Sequence, residues 1–174
     1  MPDLAWWLHN FKRSAFRLEC LSEYKVPQEE EWFEAFKRDG SLPDLTPEND
    51  SWLNLVRTHV QHGCSIQRVR IVSHPPTDYE RFELALFSAS VKAGEDIRIA
   101  GSNLIWPNAG EGRRTGPPDF WLFDDELVIV LRYDREGRFL GTEQARDVLT
   151  YRRMRDLALS HCMEMSAYTA RAAR

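Results

Sequence analysis

Arg70, His74, Asp78, Tyr79 and Arg81 crowd into the stretch RVRIVSHPPTDYERFEL, residues 68–84. These are side chains that can do chemistry. An imidazole can take a proton, and two guanidinium forks can hold a carboxylate or phosphate bidentately. A second arginine, Arg98, follows in GEDIRIAG, and three acids, Asp119, Asp124 and Asp125, fall in DFWLFDDELV beside Trp121. Arg70 and Arg98 sit on neighbouring strands in this reading, so their forks are expected near each other. The acids would stand where that sheet face opens, with Tyr79 or Trp121 as a stacking wall. The competing account is an internal Arg–Asp lattice covering one face of the sheet, which mixed charges of matching number usually form.

The same competition holds residue by residue. Asp78 complements a helix N-terminus and Arg81 pairs with it one turn on. Tyr79 reads as a half-buried staple. His74 could act as a base with Asp119 and Asp124 as acids, but no Ser, Cys or second His stands at a diagnostic spacing. His59, His62 and Cys64 fall at a helix end without a second ligand cluster, so no metal is expected, and no cofactor. GEGRRTGPP lacks the GxxxxGK[ST] spacing of a phosphate-binding loop. Its Arg113 and Arg114 would contact a partner or nucleic-acid phosphates, or be solvated.

These residues need elements to hold them. A helix is expected over 4–13, then a strand or extended arm at 16–20. Pro27 opens a helix that Gly40 stops, and a second is expected between a Thr46 cap and Gly63. Residues 66–72 alternate as a strand, with Val69 and Ile71 on one face and Arg68, Arg70 and Val72 on the other. Thr77 and Glu80 match a capping box at the head of a helix over 78–92, ended by Gly94. DIRIA returns as a strand parallel to the first, which makes a βαβ unit. After a long loop come three meander strands, 119–123, 127–133 and 138–141, a closing helix over 143–166 and a frayed tail. The expected fold is α+β: N-terminal helices, a βαβ unit extended by an antiparallel meander into one mixed sheet, and a C-terminal helix. It would form a single domain over 1–174, with 1–63 mainly helical and 64–166 the mixed-sheet core.

Composition narrows the class. The 174 residues carry a formal net charge of −4, with 43% hydrophobic and 29% charged residues. A chain of this size needs no metal or disulfide to fold. Interspersed charge argues against a dedicated nucleic-acid binder, leaving at most an indirect role. No apolar run reaches the length of a membrane span. Cys20, Cys64 and Cys162 form no CxxC, as expected of free thiols in a reducing cytoplasm. Six tryptophans are many for one domain, and some are expected at an interface, including that of a homodimer.

AFRLECLSEYKVPQEEEWFEAF, RVRIVSHPPTDYERFEL, GEDIR and DFWLFDDELV with GRFLG occur in this order across residues 11–165. Together they resemble an actinobacterial (Streptomyces-type) domain-of-unknown-function family found beside Xre-type helix-turn-helix regulators. That resemblance implies a cytoplasmic accessory or regulatory protein with a DNA-binding partner, and no established reaction. The topology also resembles half of a phospholipase D-like domain. Setting that family's HxKxxxxD aspartate on Asp124 puts Pro117 in the place of the His and Asp119 in that of the Lys, so the resemblance implies a non-catalytic member. The function expected is therefore a non-enzymatic regulatory or interaction module, sensing a small anionic ligand through Arg70 and Arg98. The alternatives are a phosphodiesterase-like or nucleotide-handling enzyme, and a nucleic-acid-binding or toxin–antitoxin component.

Overall fold

The computed structural model describes residues 3–104, 106 and 117–172. Helix α1 (Leu4–Asn10) starts where the Asp3 carboxylate accepts the Trp6 N–H. It ends at Asn10 rather than 13 because the Lys12, Arg13 and Ser14 amides all donate to the Asp124 carboxylate. The Phe16–Cys20 alternation belongs to a strand, β1 (Ser14–Glu19), and not to an arm. Pro27 opens a short 3-10 turn that leads into α2 (Glu30–Asp39), and Gly40 closes it at φ 77°. Helix α3 (Ser51–Gln61) begins at Asp50, not Thr46. Thr46–Asn49 instead close a turn on themselves, with the Thr46 N–H on the Asn49 side chain. Asp50 then supplies the cap by accepting the Leu53 N–H at 2.8 Å.

Strand β2 (Ser65–Val72) and helix α4 (Asp78–Ala93) follow as expected. The capping box is present in both directions: Thr77 accepts the Glu80 N–H, and Glu80 accepts the Thr77 N–H. Two orphan donors at the helix start are thereby satisfied. Strand β3 (Asp96–Gly101) runs parallel to β2, and β4 (Asp119–Phe123), β5 (Leu127–Tyr133) and β6 (Phe139–Ala145) form the antiparallel meander. The single closing helix is a correction. Residues up to Ala145 still pair with β5, so α5 (Val148–Ser160) begins only after Asp147, which caps it. Met163 and Glu164 then form β7 on the open edge of β3, and α6 (Met165–Ala172) takes up the expected frayed tail.

The sheet has seven strands in the order β6-β5-β4-β1-β2-β3-β7. The fold is thus a mixed α+β arrangement on one sheet. The N-terminal part is not helices alone, since β1 lies at the sheet centre, parallel to β2 and antiparallel to β4. One face is apolar. Phe16, Leu18, Val69, Phe120, Leu122, Val128 and Val130 are buried there under Tyr151, Met154 and Leu157 of α5. Burying each such side chain contributes about 1.5–3 kcal/mol. The other face carries α1 to α4, packed through Trp7, Leu53, Val56, Phe82 and Phe87. At the carboxyl ends of the parallel strands this second face stops being apolar. That is where open α/β sheets commonly place ligands.

Candidate functional site

Strand register decides which charges meet. Arg17 stands opposite Arg68 on one side and Trp121 on the other, and Glu19 stands opposite Arg70. Period-2 alternation therefore aims Arg17, Glu19, Arg68, Arg70 and Trp121 at the helical face. Arg98 stands opposite Val69, not Arg70. It belongs to the other face, where it pairs with Asp96 at 3.1 Å. Arg70 and Arg98 thus form no common anion clamp: a one-residue offset in register separates them.

Arg70 is wholly buried. Its Nε and Nη2 donate to one Glu83 oxygen at 2.9 and 2.5 Å, and Nη1 donates to the Ile71 carbonyl. Arg68 donates to both Glu19 oxygens at 2.9 Å and to Glu95 at 2.7 Å. Arg17 donates to Glu19 and Asp119 at 3.2 Å. Asp119 also accepts the Tyr24 hydroxyl at 2.5 Å and the Cys20 N–H at 3.0 Å. Three guanidiniums face four carboxylates in this lattice. One negative charge is in excess, so a buried carboxyl is driven to keep its proton. Burial, only partly offset by Arg70, pushes Glu83 up to about 8. Burial likewise raises Asp119 against the pull of Arg17.

Glu19 goes the other way. Burial works to raise it, but Arg68, Arg17 and Arg70 outweigh burial and bring it down to about 2 from 4.5. A depressed carboxylate stabilises the fold fully above its unfolded pKa and loses that contribution as pH falls. Glu19 is therefore expected to contribute about 3 kcal/mol at pH 6, lost between about pH 5 and 2. Urea unfolding of wild type against Glu19→Gln across that window checks this. The gap between the two should close as pH falls; a constant gap would contradict it.

Asp124 and Asp125 form the β4–β5 turn, with φ of 53° and 62°, the left-handed backbone of a primed hairpin turn. Burial would raise Asp124, but three backbone N–H donors from Lys12, Arg13 and Ser14 dominate and hold it below the usual range. Asp125 pairs with Arg155. These two tie the chain together and lie away from the lattice acids. His74 is exposed on the loop before α4, and Asp78 pairs with Arg81 on that helix's surface. Tyr79 is buried and donates to Glu29 at 3.0 Å. His59 stacks on Phe11 at 4.1 Å, and with His9, His62 and Cys64 it lines a groove of about 590 Å³. Among the described residues no three His, Cys, Asp or Glu side chains converge as a metal site. The Arg113–Arg114 loop lies outside the described residues.

Beside the lattice opens a cavity of about 310 Å³. Trp32 of α2, Trp52 of α3, Phe87 of α4 and Trp121 of β4 wall it, and Arg68, Glu29 and Asp50 supply its charge. The volume is at the low end of small-ligand sites. The Arg68 guanidinium lies between Trp52 and Phe87, 5.7 and 5.0 Å from their ring centres. Burial raises the Glu29 carboxyl, with the Tyr79 hydrogen bond pulling the other way. Of the residues expected from sequence, only Trp121 reaches this cavity. Arg17, Glu19, Arg68, Glu83 and Glu95 escaped notice. For Arg17, Glu19 and Arg68 the signal was charge alternating inside strands that had to be buried on both faces, as parallel strands are; Glu83 on α4 and Glu95 just before β3 carry no such pattern.

A family model described as Domain of unknown function (DUF6879) matches residues 2–170. No curated protein matches the chain. Among solved structures, NucT from Helicobacter pylori is similar at 10% identity, covering 91% of this chain and 86% of that one with a TM-score of 0.45.

Proposed function

This chain belongs to the family described as Domain of unknown function (DUF6879), and from that premise we propose that it is a non-enzymatic regulatory module whose tryptophan-walled cavity senses a small ligand. One observation carries this reading. The charged groups that could do chemistry at the strand ends are already paired with one another, while the cavity beside them remains open. Asp119, an acid of the enzyme alternative, is buried under three donors, the Arg17 guanidinium, the Cys20 N–H and the Tyr24 hydroxyl. Its partner in this reading is a helix-turn-helix regulator of the Xre type, in the cytoplasm, on the strength of the motif resemblance described above. A phospholipase D-like half-domain without its nucleophile fits the same role, with Pro117 and Asp119 in the places of that family's His and Lys.

The test is a thermal-shift screen of small metabolites on wild type and on Ala89→Phe, which fills the cavity from α4. A saturating ligand is expected to raise the wild-type unfolding midpoint by about 5 °C and to leave Ala89→Phe unmoved. Loss of that ligand's effect on operator binding by the purified regulator should accompany the substitution. A screen without hits, or equal shifts in both proteins, overturns the proposal.

A further inference from the structure

We propose that the cavity takes a flat heteroaromatic ligand with a cationic, N–H-donating edge, stacked on Trp32 and held by Glu29. This rests on the sensing reading above and specifies its ligand. An anion is the obvious guest for a site containing Arg68, but its charge is already committed. Glu19 and Glu95 flank it with three hydrogen bonds of 2.7–2.9 Å. The other charged groups lining the cavity are both acids, Glu29 and Asp50. Asp50 already caps α3. An anion would therefore enter a field that repels it.

Glu29 is differently placed. One of its oxygens, Oε2, accepts the Tyr79 hydroxyl at 3.0 Å. The other, Oε1, has no hydrogen-bond partner among the described residues. Trp52 and Trp121 pack on each other at 5.8 Å and already carry the Arg68 and Arg17 guanidiniums, whereas Trp32 carries no such cation among the described residues. A half-buried carboxylate with an open oxygen, in a cavity that Trp32 also lines, combines the two requirements for recognising an aromatic cation. These are a negative point charge and π-faces that attract positive charge. A planar edge with two adjacent N–H groups matches a carboxylate in fork geometry. Arg68 adds a polarity marker. Its Nη2 has no partner among the described residues, so a ring acceptor on the far side of the ligand would be matched there.

The probe is 2-aminobenzimidazolium, a flat two-ring cation with a guanidinium-like edge. Indole and indole-3-carboxylate serve as neutral and anionic rings of similar size. Binding is read by isothermal titration calorimetry. Wild type is expected to bind the cation at least about tenfold more tightly than either control. Glu29→Gln, which keeps the shape and the Tyr79 contact, should erase that preference while leaving the unfolding midpoint unchanged. Trp32→Leu should weaken all three rings together. Equal or tighter binding of indole-3-carboxylate, or a preference that survives Glu29→Gln, overturns the proposal. Should none of the rings bind while the metabolite screen yields a ligand blocked by Ala89→Phe, the charge class falls and the sensing reading stands. With no ligand in either experiment, both fall.

Discussion

Arg70→Ala is expected to lower the unfolding free energy by about 3–5 kcal/mol, enough to remove a large part of the stability of a domain this size. The substitution deletes three donors and opens a cavity beside Glu83. Glu83, which burial already pushes up to about 8, then keeps its proton, so the loss is that of the hydrogen bonds and of the packed side chain. Urea denaturation at pH 7 measures the loss. Replacing the pair together, as Arg70→Met with Glu83→Leu, should recover most of it, because two apolar side chains of similar volume need no mutual satisfaction. A single-substitution loss under about 1 kcal/mol would show that the pair is not structural. Arg70 would then be free to serve a ligand.

Asp119→Ala should cost about 3 kcal/mol, since it removes the shared acceptor of three donors. The Tyr24 hydroxyl loses its acceptor outright, the Cys20 N–H keeps the Tyr24 oxygen at 3.1 Å, and the Arg17 Nη2 keeps only the Tyr133 hydroxyl at 3.4 Å. Arg17 is the sensitive member, because its Nη1 is already buried without a partner. Asp119→Asn keeps one acceptor oxygen and should fall between wild type and Ala. The series separates two roles. A structural acid loses stability in step with its lost hydrogen bonds. A catalytic acid would lose turnover of a phosphodiester while the Asn variant unfolded like wild type, and that outcome would revive the enzyme reading.

The elements were legible wherever local chemistry was strong. Thr77 and Glu80 announced α4, Pro27 and Gly40 bracketed the segment holding α2, and the alternation in RVRIV gave the face of Arg70 correctly. What failed was relative register. Whether Arg70 meets Arg98 depends on a one-residue offset between β2 and β3. Nothing local in either strand encodes that offset; it follows from how the intervening helix packs. The cavity was illegible for a related reason. Trp32, Trp52 and Trp121 come from α2, α3 and β4, and only tertiary packing brings them to one place. The expected end of the chain failed because β7 is two residues long and exists only by pairing with an edge built some sixty positions earlier.

The position of β1 has a consequence for how the molecule is made. This first strand lies between β2 and β4, so Arg17 finds its neighbours at Arg68 and Trp121. A ribosome emits residue 17 long before residue 121, and until both are out the sheet lacks its middle. The charged lattice cannot close either, because Asp119 completes it from β4. Such distant pairings slow folding, since chain entropy is lost before the contacts that compensate it form. Synthesis must therefore run past residue 123 before this half of the sheet can join the other. Trimming the first twenty residues would remove a spine between two sheet halves, where most proteins lose only a frayed end.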